Sequence, residues 1–466
     1  MQLFERSAVP NGAAYSLDMS DWTADADAAT ARAAAAFLAW SQMVPVERAA
    51  HLRAMAERLG SRRQDFVDVC ATEVGASESW TLFNVNLACQ VLRHAATLTP
   101  LLEDKVTRND EAGTSSIVRR QATGVVLGIV PWNAPIVLGV RAIASPLICG
   151  NTVIMKGSEF CPRTHELLVE VLNSADLPEG VLNCVIGEAH NTSKIVSHLI
   201  SHPSVRRINF TGSTRVGRDV AVEAARHFKP AVLELSGKAP LIVLADADLE
   251  AAVEAACFGA YFNQGQVCMS TEWIVVVDAI ADQFVSLLAR RVSQIKAADP
   301  AGDDAELGPM ISTDAVMRVR GLIDDAIEKG ASLLAGGESE GVVMQPVLLD
   351  RIASNMRIFS EESFGPVASV LRVTDAEEAI SLVNGSRFGL SAAVFSEDMD
   401  QAHAIADRLE CGIVQINGPT VHDDPAMPFG GMKDSGYGRF GGESAIEAFT
   451  ELRWIATHDT GRTPPL

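Results

Sequence analysis

Between residues 124 and 234, five short β-rich runs alternate with four segments of helical spacing. The runs are 124–130, 152–155, 181–185, 207–210 and 231–234, and the helical segments are 136–149, 163–175, 191–200 and 216–227. Strands that alternate with helices build βαβ units, and these build a parallel sheet. The right-handed crossover rule then places helices on both faces. The predicted class is α/β, with a doubly wound, Rossmann-type sheet whose ligands lie beyond the carboxyl ends of its strands. A second α/β series follows from Pro240, with strands at 241–244, 273–277, 367–371, 392–395 and 412–416 and helices at 282–297 and 314–329. Gly336-Gly337 and Gly430-Gly431 mark turns in it. The first hundred residues read as helices, at 24–40, 46–59 and 65–73 among others. A chain of 466 residues is too long for one hydrophobic core. Two or three domains are expected, with a cleft between them where a cofactor would sit.

The formal net charge is −21. Nucleic acids and anionic membrane surfaces both select clustered Lys and Arg, so neither is an expected partner. The most apolar stretch, 125–149, is broken by Pro131, Asn133, Pro135 and Arg141 and does not read as a membrane span. MQLFERSAVP has no basic head before an apolar core, so no secretory leader is read and a cytoplasmic location is expected. The eight cysteines are irregularly spaced, without C-x-x-C, which fits a reducing compartment and gives no metal framework. His198 and His202 are four apart but lack the neighbouring Glu of a zinc helix, so both read as surface residues. Gly436, Gly438 and Gly441 spell G-x-G-x-x-G after a loop rather than a strand, the wrong context for a dinucleotide turn. Residues 210–217 are the better phosphate candidate, because they follow a strand run and open a helix. Small residues there, Gly212 and Ser213, let backbone N–H groups approach a phosphate. A plain strand-to-helix turn is the alternative reading.

Phe262-Asn263-Gln264-Gly265-Gln266-Val267-Cys268 resembles the active-site cysteine motif of the aldehyde dehydrogenase superfamily. Leu233-Glu234-Leu235-Ser236-Gly237-Lys238 resembles its glutamate motif. Pro131-Trp132-Asn133, Lys156-Gly157-Ser158-Glu159, the 210–217 turn, Glu361-Glu362-Ser363-Phe364-Gly365-Pro366 and Pro428-Phe429-Gly430-Gly431 resemble further motifs of that family, in the same order along nearly the whole chain. Segments 134–141, 156–159 and 427–442, with 73–77 and Trp80, are similar to the branch containing salicylaldehyde, vanillin and benzaldehyde dehydrogenases, the salicylaldehyde enzymes nearest.

The resemblance implies the aldehyde dehydrogenase fold and NAD(P)-dependent oxidation of an aldehyde, aromatic in this branch, to a carboxylate. It implies a thiohemiacetal and then a thioester on Cys268, with Glu234 as general base. It also implies that the Asn133 side-chain amide and the Cys268 backbone N–H stabilise the oxyanion. A carboxylate at the end of a buried strand should have its pKa raised towards neutrality. The alternatives are an ion pair of Glu234 with Lys238 and helix capping by Asn133. For the cofactor, the resemblance assigns Trp132, Gly212 and Ser213 to the pyrophosphate and Lys156 and Glu159 to the adenosine ribose. Glu362 and Phe364 are assigned to the nicotinamide ribose and ring. A carboxylate at Glu159 would repel a 2′-phosphate, which favours NAD, while Lys156 would tolerate that phosphate and leaves NADP open.

Arg141 lies eight residues beyond Asn133, about two helical turns on. It is expected either to bind a ring hydroxyl or carboxylate at the substrate mouth or to form a salt bridge. Trp80, Val267, Met269, Phe429 and Tyr437 are candidate apolar walls for an aromatic ring. Ser236 stands where Gly is frequent in the family and Gly157 where Pro is common. The chain also starts close to its first helix and lacks part of the family's usual N-terminal segment. The expected domains are 1–103, 123–234 and 435–446 for the cofactor and 235–434 for catalysis. An oligomerisation arm is expected from 104–122 and a C-terminal strand near 448–455 within the tail 447–466. A two-stranded arm is marginal alone, so a homodimer or dimer of dimers is implied. The rival activities are a semialdehyde or aliphatic aldehyde dehydrogenase, a coenzyme A-acylating one and a non-catalytic use of the scaffold.

Overall fold

A computed structural model describes residues 22–108, 114–298 and 306–458. The stretch read for a leader lies outside the described residues, as do parts of the arm and tail. Four helices lead the chain: α1 (Trp22–Gln42), α2 (Pro45–Ser61), α3 (Arg63–Val74) and α4 (Glu78–Ala95). Ser77 caps α4, its hydroxyl accepting from the Trp80 N–H at 3.2 Å, and this sets Trp80 on the first turn.

The arm is a three-stranded antiparallel sheet, not a two-stranded one. β1 (Lys105–Arg108) and the C-terminal strand Thr450–His458 flank β2 (Thr114–Ala122). The C-terminal strand starts at Thr450 because Ala448 and Phe449 still belong to the helix Gly442–Phe449. Phe449 is buried, and this anchors the base of the arm.

The first large sheet holds β3 (Val125–Ile129), β4 (Thr152–Lys156), β5 (Leu182–Val185), β6 (Val205–Thr211) and β7 (Ala231–Glu234), all parallel. Its spatial order is β7, β6, β3, β4, β5. The strand Gly436–Tyr437 adds antiparallel beside β7, so the G-x-G-x-x-G segment makes an edge strand and turn rather than a βαβ unit. Every residue of β3 and β4 is buried, as expected for parallel strands covered on both faces. Four helices make the crossovers: α5 (Pro135–Ile148), α6 (Pro162–Asn173), α7 (Thr192–Ser201) and α8 (Thr214–Arg226). The chain runs outward from β3 to β5 and returns to β6 on the other side of β3. That reversal opens a crevice at the carboxyl ends of β3 and β6. Asn133 follows β3, Lys156 ends β4 and Ser213 follows β6, so all three stand at this end of the sheet.

Residues 235–238 carry the chain from β7 into a second, seven-stranded sheet. There β8 (Ala239–Val243) and β9 (Thr271–Val277) are joined through α9 (Leu249–Tyr261). The order is Ser332–Ala335, Val347–Asp350, Val367–Val373, β9, β8, Ser391–Phe395, Ile413–Ile416, parallel except for the first pair. Val347–Asp350 is buried throughout and was not among the runs read from sequence. One hydrophobic core joins α2, α4 and α5 to Val267, Met269 and Phe429, so loops of the second half pack on helices of the first. Among the described residues no helix is long and apolar enough to cross a membrane.

Candidate active site

Cys268 follows a tight turn, Phe262–Gly265, between α9 and β9. Asn263 (φ 50°), Gln264 (φ 56°) and Gly265 (φ 67°) are successively left-handed. Side chains rarely adopt that region, so the turn has to be held by its surroundings. Asn263 Nδ2 donates to the Asn133 carbonyl at 3.2 Å, the Gln266 N–H donates to the Asn263 carbonyl at 2.9 Å, and the Ile311 N–H donates to Gln266 Oε1 at 3.0 Å. A Cβ on Gly265 would lie 2.2 Å from the Gly365 carbonyl, so only glycine fits. The Asn133 amide crosses to the same loop, donating from Nδ2 to the Gln266 carbonyl at 3.0 Å. Its own carbonyl accepts from Trp80 Nε1 at 3.0 Å. Asn133 is therefore not a helix cap: the cap position of α5 is Ala134, which makes no side-chain bond. Among the described residues no group accepts from the Cys268 N–H.

Glu234 is the last residue of β7 and is 1% exposed. Among the described residues neither carboxyl oxygen has a hydrogen-bond partner, and the Cys268 thiol lies within reach of its charge. Burial pushes the carboxyl up to about 7, against the opposing pull of the thiol and of the Arg141 charge. Burial, then the Glu234 charge, holds the Cys268 thiol well above its ordinary value. The resting thiol is thus protonated beside a carboxyl that titrates near neutrality. Gly237 is where the link between the sheets presses on the cysteine: a Cβ there would lie 2.1 Å from the Cys268 carbonyl. Lys238 does not pair with Glu234. Its Nζ donates to Glu272 Oε2 at 2.6 Å and to the Glu361 carbonyl at 2.8 Å.

Around the crevice, Lys156 Nζ lies 3.2 Å from Glu159 Oε2 and 3.3 Å from Thr192 Oγ1. Ser213 caps α8, accepting from the Val216 N–H at 3.4 Å, and the Gly212 N–H donates to the Glu234 carbonyl at 3.0 Å. Trp132 meets Phe364 edge-on, with ring centroids 6.0 Å apart. Glu362 Oε1 accepts from the Gly237 N–H at 3.0 Å. Burial and the nearby Glu272 charge push the Glu362 carboxyl up to about 7. Glu272 also accepts from the backbone N–H groups of Ser363, at 2.9 Å, and Phe364, at 3.1 Å. A buried Lys238–Glu272 pair therefore clamps the loop that carries Glu362 and Phe364. The donor set suits a dinucleotide: a helix N-terminus for phosphates and carboxylates at Glu159 and Glu362 for ribose hydroxyls.

Trp80 is buried, stacks on Phe83 (centroids 5.7 Å apart, 16° between planes) and meets Phe262 edge-on at 4.9 Å. Every residue of α5 is buried, including Arg141 at 6% exposure. Arg141 pairs with Asp423, whose side chain is 8% exposed. Its guanidinium carbon stands 4.1 Å from the centre of the Phe429 ring.

The aldehyde dehydrogenase family model matches residues 17–455. The chain belongs to the aldehyde dehydrogenase family. It is 51% identical over 463 residues to vanillin dehydrogenase of Pseudomonas fluorescens, covering 99% of this chain and 96% of that protein. It is 44% identical over 455 residues to salicylaldehyde dehydrogenase of Pseudomonas putida, covering 97% and 94%. The crystal structure of a salicylaldehyde dehydrogenase from Pseudomonas putida G7 complexed with salicylaldehyde matches with a TM-score of 0.93 at 45% identity, covering 95% of this chain and 92% of that one. The protein is accordingly an NAD(P)-dependent aldehyde dehydrogenase.

In this dehydrogenase Met269 and Phe429 are buried in the core that holds Val267. Tyr437 lies apart from them, half exposed on its edge strand opposite Leu233, with no ring partner among the described residues. His198 Nε2 meets Asp27 Oδ1 at 2.7 Å. Among the described residues no three His, Cys, Asp or Glu side chains are grouped so as to hold a metal. Sequence reasoning missed Asp423, Glu272 and Thr192. Asp423 meets Arg141 from 282 positions away and Glu272 meets Lys238 from 34, separations that carry no local signal. Phe262 could have been found, since it opens the cysteine motif and its neighbour Phe258 stacks on it at 4.7 Å.

Proposed function

We propose that this aldehyde dehydrogenase oxidises aromatic aldehydes of the salicylaldehyde, vanillin and benzaldehyde kind. In this reading Cys268 is the nucleophile, Glu234 the general base, and the Asn133 amide and Cys268 N–H the oxyanion donors. The observation that carries it is the buried Glu234 carboxyl, which has no hydrogen-bond partner among the described residues and lies within reach of the Cys268 thiol. An unpaired buried carboxyl is a cost that a purely structural role would not keep. The aromatic preference is supported by the two relatives and by the ring cluster of Trp80, Phe83 and Phe262 beside Asn133 and the cysteine turn.

Glu234 takes the thiol proton, and the sulfur adds to the aldehyde carbon, forming a C–S bond. The carbonyl oxygen becomes an alkoxide facing Asn133 Nδ2 and the Cys268 N–H. Bound NAD supplies the acceptor for the hydride that leaves this carbon. Cys268 then carries a thioester. Glu234 passes the first proton to solvent and takes another from a water, whose oxygen adds to the thioester carbon. The C–S bond breaks, the leaving thiolate takes back the proton that Glu234 holds, and the product acid gives its proton to solvent and departs as the carboxylate.

Trp132, Gly212 and Ser213 are assigned to the pyrophosphate, Lys156 and Glu159 to the adenosine ribose, and Glu362 and Phe364 to the nicotinamide side. NAD is favoured over NADP because Glu159 already neutralises Lys156. In the same reading 1–103, 123–234 and 435–446 serve the cofactor, 235–434 catalysis, and the arm joins subunits in a homodimer or dimer of dimers. Arg141, Trp80, Met269 and Phe429 flank the substrate; Tyr437 is the assignment with least support. The test is NADH absorbance with salicylaldehyde, vanillin, benzaldehyde and a short aliphatic aldehyde. An aromatic substrate should give kcat/KM of about 10⁴–10⁸ M⁻¹s⁻¹. A marked preference for the aliphatic chain would transfer the activity to the semialdehyde and aliphatic class.

A further inference from the structure

We infer that Asp423 sets the chemical class of the substrate's far end. By neutralising Arg141 it makes the pocket accept a neutral, hydroxyl-bearing ring and reject an aldehyde that carries a carboxylate. This inference rests on the aromatic reading above.

A buried guanidinium without a counter-ion would be the natural anchor for a carboxylate, through two parallel hydrogen bonds. Arg141 is not in that state. Asp423 occupies one side of it and the Phe429 ring lies under its face, so the charge is spent within the protein. The pair also stands close to the reacting groups. Thr420, three residues before Asp423, donates from its hydroxyl to the Met269 carbonyl at 2.7 Å, directly after Cys268. The charges of both Arg141 and Asp423 act on Glu234, and that of Arg141 acts on Cys268.

The pair borders a small cavity of about 20 Å³, lined by His94, Arg141, Ser145, Asp423, Met427 and Phe429 among others. Two of these residues each hold a buried polar atom without a partner among the described residues, Asp423 Oδ1 and His94 Nε2. A space of this size holds one water or one hydroxyl group. A hydroxyl can donate to Asp423 Oδ1 and complete the set. A carboxylate in its place would set a second anion against Asp423, with the Arg141 charge already taken by that same Asp423.

Asp423→Asn keeps the size of the side chain and removes its charge. The quantity to read is the ratio of kcat/KM for 3- and 4-carboxybenzaldehyde to that for the matching hydroxybenzaldehydes, in which a general loss of activity cancels. The ratio should rise about tenfold or more in the variant. The unaltered enzyme gives a second measurement that needs no variant: 4-hydroxybenzoate should compete with the aldehyde about tenfold more tightly than terephthalate. An unchanged or lower ratio, or equal inhibition by the two acids, overturns the role of Asp423. Benzaldehyde against hexanal reports separately on the aromatic reading. If that reading fails, 4-hydroxybutanal against succinate semialdehyde reads the same Asp423 ratio on an aliphatic chain.

Discussion

The Glu234 carboxyl and the Cys268 thiol lie within reach of each other's charge, although Glu234 ends β7 of the first sheet and Cys268 lies in the turn before β9 of the second. Two close approaches hold them together. Gly237 brings the link between the sheets against the Cys268 carbonyl, and the Gly212 N–H ties the Glu234 backbone to the turn before α8. The proposed base thus lies between the proposed nucleophile and the start of α8, where the pyrophosphate is proposed to bind, and each prediction below perturbs one part of that arrangement.

Asn133→Ala removes a donor that Gln266 already orients. It should lower kcat by about 10²–10³, with KM changed far less, because an oxyanion donor acts on the transition state. Steady-state kinetics on benzaldehyde check this; a rise in KM at constant kcat would make Asn133 a binding residue instead.

The Glu234 carboxyl, pushed up to about 7, should give kcat/KM an inflection near that pH, with activity lost as the pH falls and the base takes a proton. Glu234→Gln should abolish the inflection. The same shift has a stability sign. The folded chain holds this proton more tightly than the unfolded one, whose carboxyl has its ordinary value of 4.5. Stability is therefore lost as the pH rises from 4.5 towards 7. The Gln variant, neutral throughout, should be the more stable protein above pH 7, by up to about 3 kcal/mol, and lose that advantage below pH 4.5. Denaturant melts at pH 5 and pH 8 measure it.

Glu272→Gln leaves the Lys238 ammonium buried without its counter-ion and loosens the loop of Glu362 and Phe364. Breaking such a pair costs about 3–5 kcal/mol. Thermal unfolding should fall, and KM for NAD should rise more than KM for the aldehyde. A variant that melts early but binds NAD normally would separate the clamp from cofactor binding.

Much of the fold is legible in the sequence because the alternation of strand and helix is local: a run such as Val125–Ile129, apolar at every position, reads as a parallel strand before any contact is known. Val347–Asp350 escapes because three apolar residues between Pro346 and Asp350 are too short a run to separate from a turn. The C-terminal strand of the arm is legible near 448–455 but its bounds are not: Thr450–His458 is largely exposed, and only pairing with β2 fixes where it starts and ends. In the site, contiguous motifs such as 262–268 are readable. The charge partners are not, because which acid meets Arg141 or Lys238 is decided by the packing of distant loops.

Glu159→Gln removes the carboxylate beside Lys156 and leaves the ammonium without its counter-ion at the proposed adenosine-ribose site. The ratio of kcat/KM for NADP to that for NAD should rise about tenfold. An unchanged ratio would move the ribose site elsewhere in the crevice.

The most direct test of the covalent account is intact-protein mass spectrometry of Glu234→Gln mixed with benzaldehyde and NAD. With the proposed base gone, thiol deprotonation and thioester hydrolysis both slow, so a benzoyl adduct should form slowly on the peptide containing Cys268 and then persist over many turnover times of the unaltered enzyme, while Cys268→Ala shows none. An adduct-free Gln variant that turns over at the wild-type rate, or an adduct on another cysteine, would contradict the assignment of Cys268 and Glu234.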